Sequence, residues 1–144
     1  MKSLDTNLLF TGCRPGAEGH EVARNFLLDW SKDSEVVLCE HVLVELYNLL
    51  RNSTIMSGKP YQSKMAVSVI QSFRHHPKWR VVEVAPVMER VWQEAGDSSF
   101  PRRRIFDARI AFTLQHHGVV EFATCNQKDF TSFGFEKLWN PLDS

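Results

Sequence analysis

The residues best suited to chemistry are four acidic side chains that lie far apart along the chain: Asp5, Glu45, Asp107 and Asp129. Asp5 ends the first predicted strand, and in open α/β sheets the carboxyl ends of strands are where side chains converge on a ligand. A helix N-cap role would explain Asp5 equally well. Asp129 follows another predicted strand after a short polar turn, where a turn or cap role is the simpler interpretation. Neither residue indicates a site by itself.

Glu45 is the most informative of the four acids because its place in a predicted helix is unusual for an acidic residue. It lies three residues after Val42 and four before Leu49, which puts its carboxylate on or beside the apolar face of that helix. A buried carboxylate is unfavourable unless it is paired or bound to a metal ion. The alternative is a glutamate at the rim of the apolar face that reaches water, since glutamate is rarely fully buried.

Asp107 lies in the first turn of a predicted helix, on the same side as Ala111 and Leu114, which follow it at helical spacing. Pairing of its charge with the helix dipole is the simple explanation. The three arginines of Arg102–Arg104 weaken that explanation, because cations near a helix N-terminus are unfavourable by a few tenths of a kcal/mol each. An anion bound nearby would account for them, and a solvated basic turn is the alternative for any single arginine.

These acids must be positioned by strands and helices that alternate along the chain, as the hydrophobic spacing indicates. The predicted strands are residues 2–5, 35–39, 79–84, 119–124 and 137–139, and the predicted helices are residues 20–31, 40–51, 61–74, one opened by Pro86, and 105–117 ended by Gly118. This order predicts an α/β fold with a mostly parallel central sheet of about four to five strands and helices on both faces. Ligands are then expected at the carboxyl ends of the strands.

Composition limits the other properties of the protein. At 144 residues with 43% hydrophobic residues, we expect one domain over residues 1–144. The 17 basic and 17 acidic side chains exclude a basic coat, so nucleic acid would bind through a local patch. The three cysteines (Cys13, Cys39 and Cys125) show neither zinc spacing nor a disulfide framework, which is typical of a reducing cytoplasm. No stretch approaches the ~20 apolar residues of a membrane span or the pattern of a signal peptide, so we expect a soluble cytoplasmic protein.

Four short segments, in this order and spacing, carry a resemblance to a known family. They are Leu4-Asp5-Thr6-Asn7-Leu8-Leu9, Val44-Glu45-Leu46, Asp107-Ala108-Arg109-Ile110-Ala111 and Ala123-Thr124-Cys125-Asn126-Gln127-Lys128-Asp129-Phe130. With these segments the chain resembles a PIN-domain protein, and specifically a VapC-type toxin of bacterial toxin–antitoxin pairs. The match runs nearly from end to end, and it implies a single PIN-like nuclease domain.

The resemblance implies a metal-dependent endoribonuclease whose four acids surround one or two Mg²⁺ or Mn²⁺ ions. The supporting polar residues would be Thr6, Thr124 and Asn126, and the residues that guide the RNA backbone would be Arg102, Arg103, Arg104, Arg109 and Lys128. A hard divalent cation prefers oxygen ligands and keeps several waters, which suits a few carboxylates. Phosphodiester hydrolysis leaving a 3′-hydroxyl and a 5′-phosphate, a homodimer, and a small antitoxin whose tail enters the acidic crevice are further expectations from the family.

Four other functions fit parts of the sequence less well. The adjacent pairs His75-His76 and His116-His117 do not make the i,i+4 arrangement of a helical zinc site. Aspartyl-phosphate phosphatases need a second acid two residues after the first, where this chain has Asn7. A non-catalytic α/β module that binds a partner protein remains an alternative, and the presence of all four acids argues against it. A housekeeping RNA-processing nuclease is the alternative to a toxin.

Overall fold

The computed structural model describes residues 1–143, and its five short strands pair in parallel. The strands are β1 (Lys2–Leu4), β2 (Val37–Cys39), β3 (Arg80–Val82), β4 (Glu121–Ala123) and β5 (Lys137–Trp139). The helices are α1 (Thr6–Gly12), α2 (His20–Trp30), α3 (Glu40–Leu50), α4 (Ser63–Arg74), α5 (Met88–Ala95), α6 (Arg104–His116) and α7 (Gln127–Phe130). One sheet has the order β1-β4-β5 and the other pairs β2 with β3. A bridge between Lys2 and Val36 joins them, which gives the order β3-β2-β1-β4-β5.

The predicted α/β fold with a mostly parallel sheet of about four to five strands is confirmed. The observed strand β5 matches residues 137–139, and α2, α3 and α6 begin and end within one residue of their predicted bounds. Two helices were missed, α1 and α7, because both are too short to show a helical repeat. The helix expected from Pro86 begins at Met88.

The strands are short, and β1, β2 and β4 in the centre of the sheet are mostly buried, as expected for a parallel sheet covered on both faces. Leu4, Leu38 and Phe122 have no exposed surface in the centre of the sheet. Helices α3 and α6 bury apolar residues against the sheet. Elsewhere in the core, the Trp79 indole N–H donates a hydrogen bond to the Trp30 carbonyl at 2.8 Å. No helix within residues 1–143 combines the length and apolar character of a membrane span.

The register of the central strands determines which residues meet at the carboxyl edge of the sheet. Leu4 in β1 pairs with Ala123 in β4, and the Asp5 N–H donates to the Ala123 carbonyl at 2.9 Å. Asp5 and Thr124, the next residue of each strand, therefore leave the sheet side by side. Gly118, with φ +88°, supplies the left-handed conformation that ends α6 before β4, as the sequence predicted.

Candidate active site

Asp5 is both the N-cap of α1 and the most buried acid at the carboxyl edge, so its two interpretations from sequence are compatible. One carboxylate oxygen accepts from the Thr6 N–H at 2.8 Å. The other accepts from the Thr124 hydroxyl at 2.7 Å and from the Asn7 amide at 3.3 Å. Burial raises the pKa of Asp5 and the Asp129 charge raises it further, while these three hydrogen bonds oppose the shift. The side chain is thus fixed in position at an electrostatic cost.

Glu45 lies in the middle of α3 and faces the same cavity as Asp5, as its helical position predicted. Burial, followed by repulsion from Asp5 and from Asp107, raises the pKa of Glu45 to about 7, and a hydrogen bond with Thr6 opposes this shift. Its Oε1 atom is buried and has no hydrogen-bond partner within residues 1–143. A buried carboxylate oxygen without a hydrogen-bond partner is unfavourable, so a cation bound beside it would stabilise the site.

Asp107 lies in the first turn of α6, half-buried and between two cavities. It lines a cavity of about 250 Å³ together with Asp5, Glu45 and Asn126. Burial raises the pKa of Asp107 to about 6, with further contributions from the charges of Asp5 and Asp129 and an opposing one from Arg104. Three acids from three separate elements thus line one cavity. We name it the acidic cavity, lined by Asp5, Glu45 and Asp107.

Asp129 lies apart from that group, on the exposed short helix α7. It lines a second cavity of about 320 Å³ with Asp107, Lys128 and two arginines, Arg103 and Arg104. We name this second space the basic cavity, and Asp107 belongs to both. Asp129 is therefore connected to the site in two ways. It shares the basic cavity with Asp107, and its charge raises the pKa of Asp5.

The supporting polar residues lie where the sequence placed them, and one further residue joins them. Thr124 links Asp5 to the second loop, because its hydroxyl also accepts from the Asn126 N–H at 3.0 Å. Asn7 was not predicted as a site residue, yet its amide lies 3.5 Å from the Thr124 hydroxyl and its oxygen accepts from the Cys125 N–H at 3.2 Å. The polar run after the first strand was the only sign of this role in the sequence.

The five basic candidates do not form one group. Arg103, Arg104 and Lys128 line the basic cavity, and Arg102 precedes them in the exposed turn. Arg109 is separate: its charge acts on Cys39 and His41 instead of on the carboxylates, and its buried Nε has no hydrogen-bond partner within residues 1–143.

No cation of the described chain neutralises the acids. The ion pairs within residues 1–143 join Lys2 to Asp33, Arg74 to Glu40 and Lys137 to Glu121, all away from the acidic cavity. Arginines line the neighbouring basic cavity, but none of them comes within ion-pair distance of the site acids. The site therefore holds net negative charge, with a positive rim on one side.

Fold and site together define a class of nuclease-like α/β domains with acids at the carboxyl edge of a parallel sheet. The model of the PIN domain matches residues 3–136, and the chain belongs to the PIN-domain family. Ribonuclease VapC24 of Mycobacterium tuberculosis, from strains CDC 1551 / Oshkosh and ATCC 25618 / H37Rv, is 45% identical over 144 residues, which is 100% of this chain and 99% of that protein.

A solved structure shows the same fold. The crystal structure of Mycobacterium tuberculosis VapC20, a Sarcin-Ricin loop cleaving toxin, matches with a TM-score of 0.63 over 85% of this chain and 87% of that chain. Its sequence identity is 20%, so the likeness concerns the fold alone. Family membership confirms the predicted resemblance and the assignment to the metal-dependent ribonucleases of the VapC type.

Proposed function

We propose that this chain is an endoribonuclease in which Asp5, Glu45, Asp107 and Asp129 hold one or two Mg²⁺ ions, with Mn²⁺ as a substitute. The observation that carries the proposal is the acidic cavity, where three carboxylates from separate elements meet without a compensating cation of the described chain. Cleavage would leave a 3′-hydroxyl and a 5′-phosphate. We further propose that residues 1–144 act as one nuclease domain.

The donor set fits a hard divalent cation. The acidic cavity is about 250 Å³, and at roughly 30 Å³ per water it has room for an ion that keeps several waters. Within residues 1–143 no three His, Cys, Asp or Glu side chains form a ready metal cage. Mg²⁺ keeps several of its waters, so carboxylates that line one cavity can hold it directly or through those waters. The unpartnered Glu45 oxygen is available to such an ion or its waters.

The roles of the four acids follow from their burial. Asp5 and Asp107 would be the principal metal ligands, because they line the cavity from the N-cap of α1 and the first turn of α6. Asp129 would bind the ion directly or through water from the exposed side. Glu45, whose pKa is raised to about 7, would complete the cluster or orient the attacking water. When bound, the ion supplies Lewis-acid activation of water and neutralises the scissile phosphate.

The positive rim would guide the RNA backbone to this cavity. Arg103, Arg104 and Lys128 line the basic cavity beside Asp107, where they can attract a phosphate without neutralising the acids. Thr124 and Asn7 would keep the Asp5 carboxylate oriented throughout, since both donate to the same oxygen. Thr6, Asn126, Arg102 and Arg109 remain proposed in the supporting roles that the sequence predicted.

We propose that the partners are a small antitoxin and a second copy of the chain. The candidate surface for these contacts is an apolar groove of about 300 Å³ between α3 and α4, lined by Leu43, Val44 and Val67 among others. Three free cysteines support a reducing cytoplasm as the location.

A ribonuclease assay tests the proposed function. Wild type with Mg²⁺ or Mn²⁺ should cleave total RNA, a chelator should abolish cleavage, and Asp5→Asn should reduce it at least about 100-fold, as for loss of a major electrostatic group. Asp29→Asn, an exposed residue of α2, is the matched control and should cleave like wild type. Activity that survives both the chelator and Asp5→Asn would contradict the four-carboxylate site.

Expression in a bacterial host separates the toxin from the two other functions. Growth arrest that depends on Asp5 and is relieved by a small co-expressed neighbouring gene product supports a toxin. Cleavage without arrest, together with a specific defect in RNA maturation, indicates a housekeeping nuclease. A protein that neither cleaves RNA nor arrests growth is a binding module.

A further inference from the structure

Phe106 exposes an aromatic ring one residue before the site acid Asp107. Its side chain is 59% exposed, although it lies in the first turn of the otherwise well-buried helix α6. The aromatic rings that contact one another within residues 1–143 do not include it, and no cation of that range lies over it. Exposing a large ring is unfavourable, so a partner that covers it would be stabilised.

Phe106 is held beside the reacting centre by the backbone. It is the residue before Asp107, whose carboxylate lines both cavities, so their Cα atoms are about 3.8 Å apart. The Phe106 N–H donates to the Arg103 carbonyl at 3.4 Å, which fixes the start of the helix. The Phe106 backbone therefore lies beside the site, although its ring lines neither cavity.

Two arginines precede the ring along the chain, and one of them, Arg103, also lines the basic cavity. Arg102 and Arg103 precede Phe106 by four and three residues and lie in the turn immediately before α6. Both arginines are exposed, and their side chains make no ion pair or hydrogen bond within residues 1–143. Arg104 differs, because its guanidinium lies 4.6 Å from the Phe133 ring centre and is occupied there.

We propose that the Phe106 ring stacks on an unpaired base of the RNA next to the scissile phosphate, while Arg102 and Arg103 contact the adjoining backbone. Aromatic rings beside arginines are how proteins bind single-stranded nucleic acid, since every base has a face that can stack. The inference rests on the proposed function and specifies its substrate as RNA that is unpaired at the cut.

A protein partner fits this surface less well than a base does. Cores of protein interfaces are depleted in Asp, Glu and Lys, and Phe106 is an isolated exposed ring that directly precedes Asp107. Its apolar neighbour Ile105 is already partly buried against the core. A flat base needs only one ring, and its phosphates match the cations beside it.

Fluorescence of 2-aminopurine tests the stacking directly. The full chain carrying Asp5→Asn, which blocks cleavage, is mixed in Mg²⁺ with uridine oligonucleotides of about twelve residues, each with 2-aminopurine at a different position. Stacking on Phe106 should quench one or two adjacent positions. Phe106→Ala should remove that quenching and weaken binding at least about 5-fold, and Phe106→Tyr should retain both. The matched control is Trp92→Ala, because Trp92 is also 59% exposed but lies on α5, a helix that contributes no residue to either cavity.

Each result decides the inference separately from the nuclease activity. Quenching that is lost in Phe106→Ala and kept in Phe106→Tyr and Trp92→Ala supports base stacking. Identical quenching and affinity in Phe106→Ala and its parent overturn it, even in a protein that cleaves RNA. A changed oligomeric state with unchanged RNA binding also overturns it, and makes Phe106 a protein contact. A failed proposed function is recognised by the absence of metal-dependent cleavage in wild type.

Discussion

Asp5 and Asp129 belong to the same acidic site but lie in opposite surroundings. Asp5 is 8% exposed and accepts three hydrogen bonds, from Thr6, Thr124 and Asn7. Asp129 is exposed on a four-residue helix, beside the basic cavity. A buried, hydrogen-bonded side chain keeps one geometry whether or not a ligand is bound, whereas an exposed side chain can move to fit the ligand. The buried side of the site therefore suits metal binding, and the exposed side suits a variable RNA strand.

The largest effect among the following changes is expected on the buried side. Thr124→Val removes the 2.7 Å hydrogen bond to Asp5 while keeping nearly the same side-chain volume. Loss of a group that orients a metal ligand typically lowers metal affinity or activity about 10- to 100-fold. Titration of activity against Mg²⁺ concentration measures this loss. The Mg²⁺ concentration that gives half-maximal activity should be higher for Thr124→Val than for wild type.

Thr54→Val is the control for that substitution, because Thr54 lies in an exposed turn far along the chain from the site. It should match wild type at every Mg²⁺ concentration. An equal Mg²⁺ dependence for Thr124→Val and wild type would mean that Asp5 needs no fixed orientation, and the contrast between the two sides would be lost.

An intermediate effect is expected on stability, because the pKa values of Glu45 and Asp107 are raised to about 7 and about 6. At a pH between the ordinary pKa of these carboxyl groups and their raised pKa in the folded protein, the folded protein keeps protons that the unfolded chain has released. The free energy of unfolding of the metal-free protein should therefore fall as pH rises from about 4 to 7. Thermal melting should show a Tm lower by roughly 2 to 6 °C at pH 8 than at pH 5, and Mg²⁺ should reduce the difference.

Glu45→Gln separates this titration from the rest of the protein. Without metal, the variant should melt above wild type at pH 8 and lose that advantage at pH 5, because glutamine carries no charge to bury. Glu94→Gln, at an exposed position of α5, should follow wild type at both pH values. A Tm difference between Glu45→Gln and wild type that does not change with pH would contradict the proposed repulsion.

The smallest effect is expected on the exposed side. Arg103→Gln should raise KM for single-stranded RNA a few-fold and leave kcat unchanged, because one contact with the backbone is lost. The slope of log KM against log salt should fall by about 0.7, the value for one phosphate of a single strand. Arg24→Gln on the exposed face of α2 is the matched control. A change in kcat alone would place Arg103 in the chemical step instead.

The sequence by itself determined the alternation of strands and helices. It also marked the four acids, with Asp5 and Asp129 after strands and Glu45 and Asp107 in two helices. These follow from local spacing: Glu45 is marked by the helical repeat around it, and Asp5 by the end of an apolar strand. The resemblance then supplied the family and the expected metal chemistry. Short elements such as α1 and α7 escaped because four to seven residues give too few repeats to reveal a helix.

Only the tertiary structure decided how the acids divide between the acidic and the basic cavity. The register of β1 against β4 brings Asn7 and Thr124 onto one oxygen of Asp5, a contact across 119 positions for Thr124. Packing of α6 separates Arg109 from the other basic candidates and leaves Phe106 exposed beside Asp107. Spacing along the chain cannot fix such distances, because they depend on how parallel strands and their helices pair at one edge of the sheet.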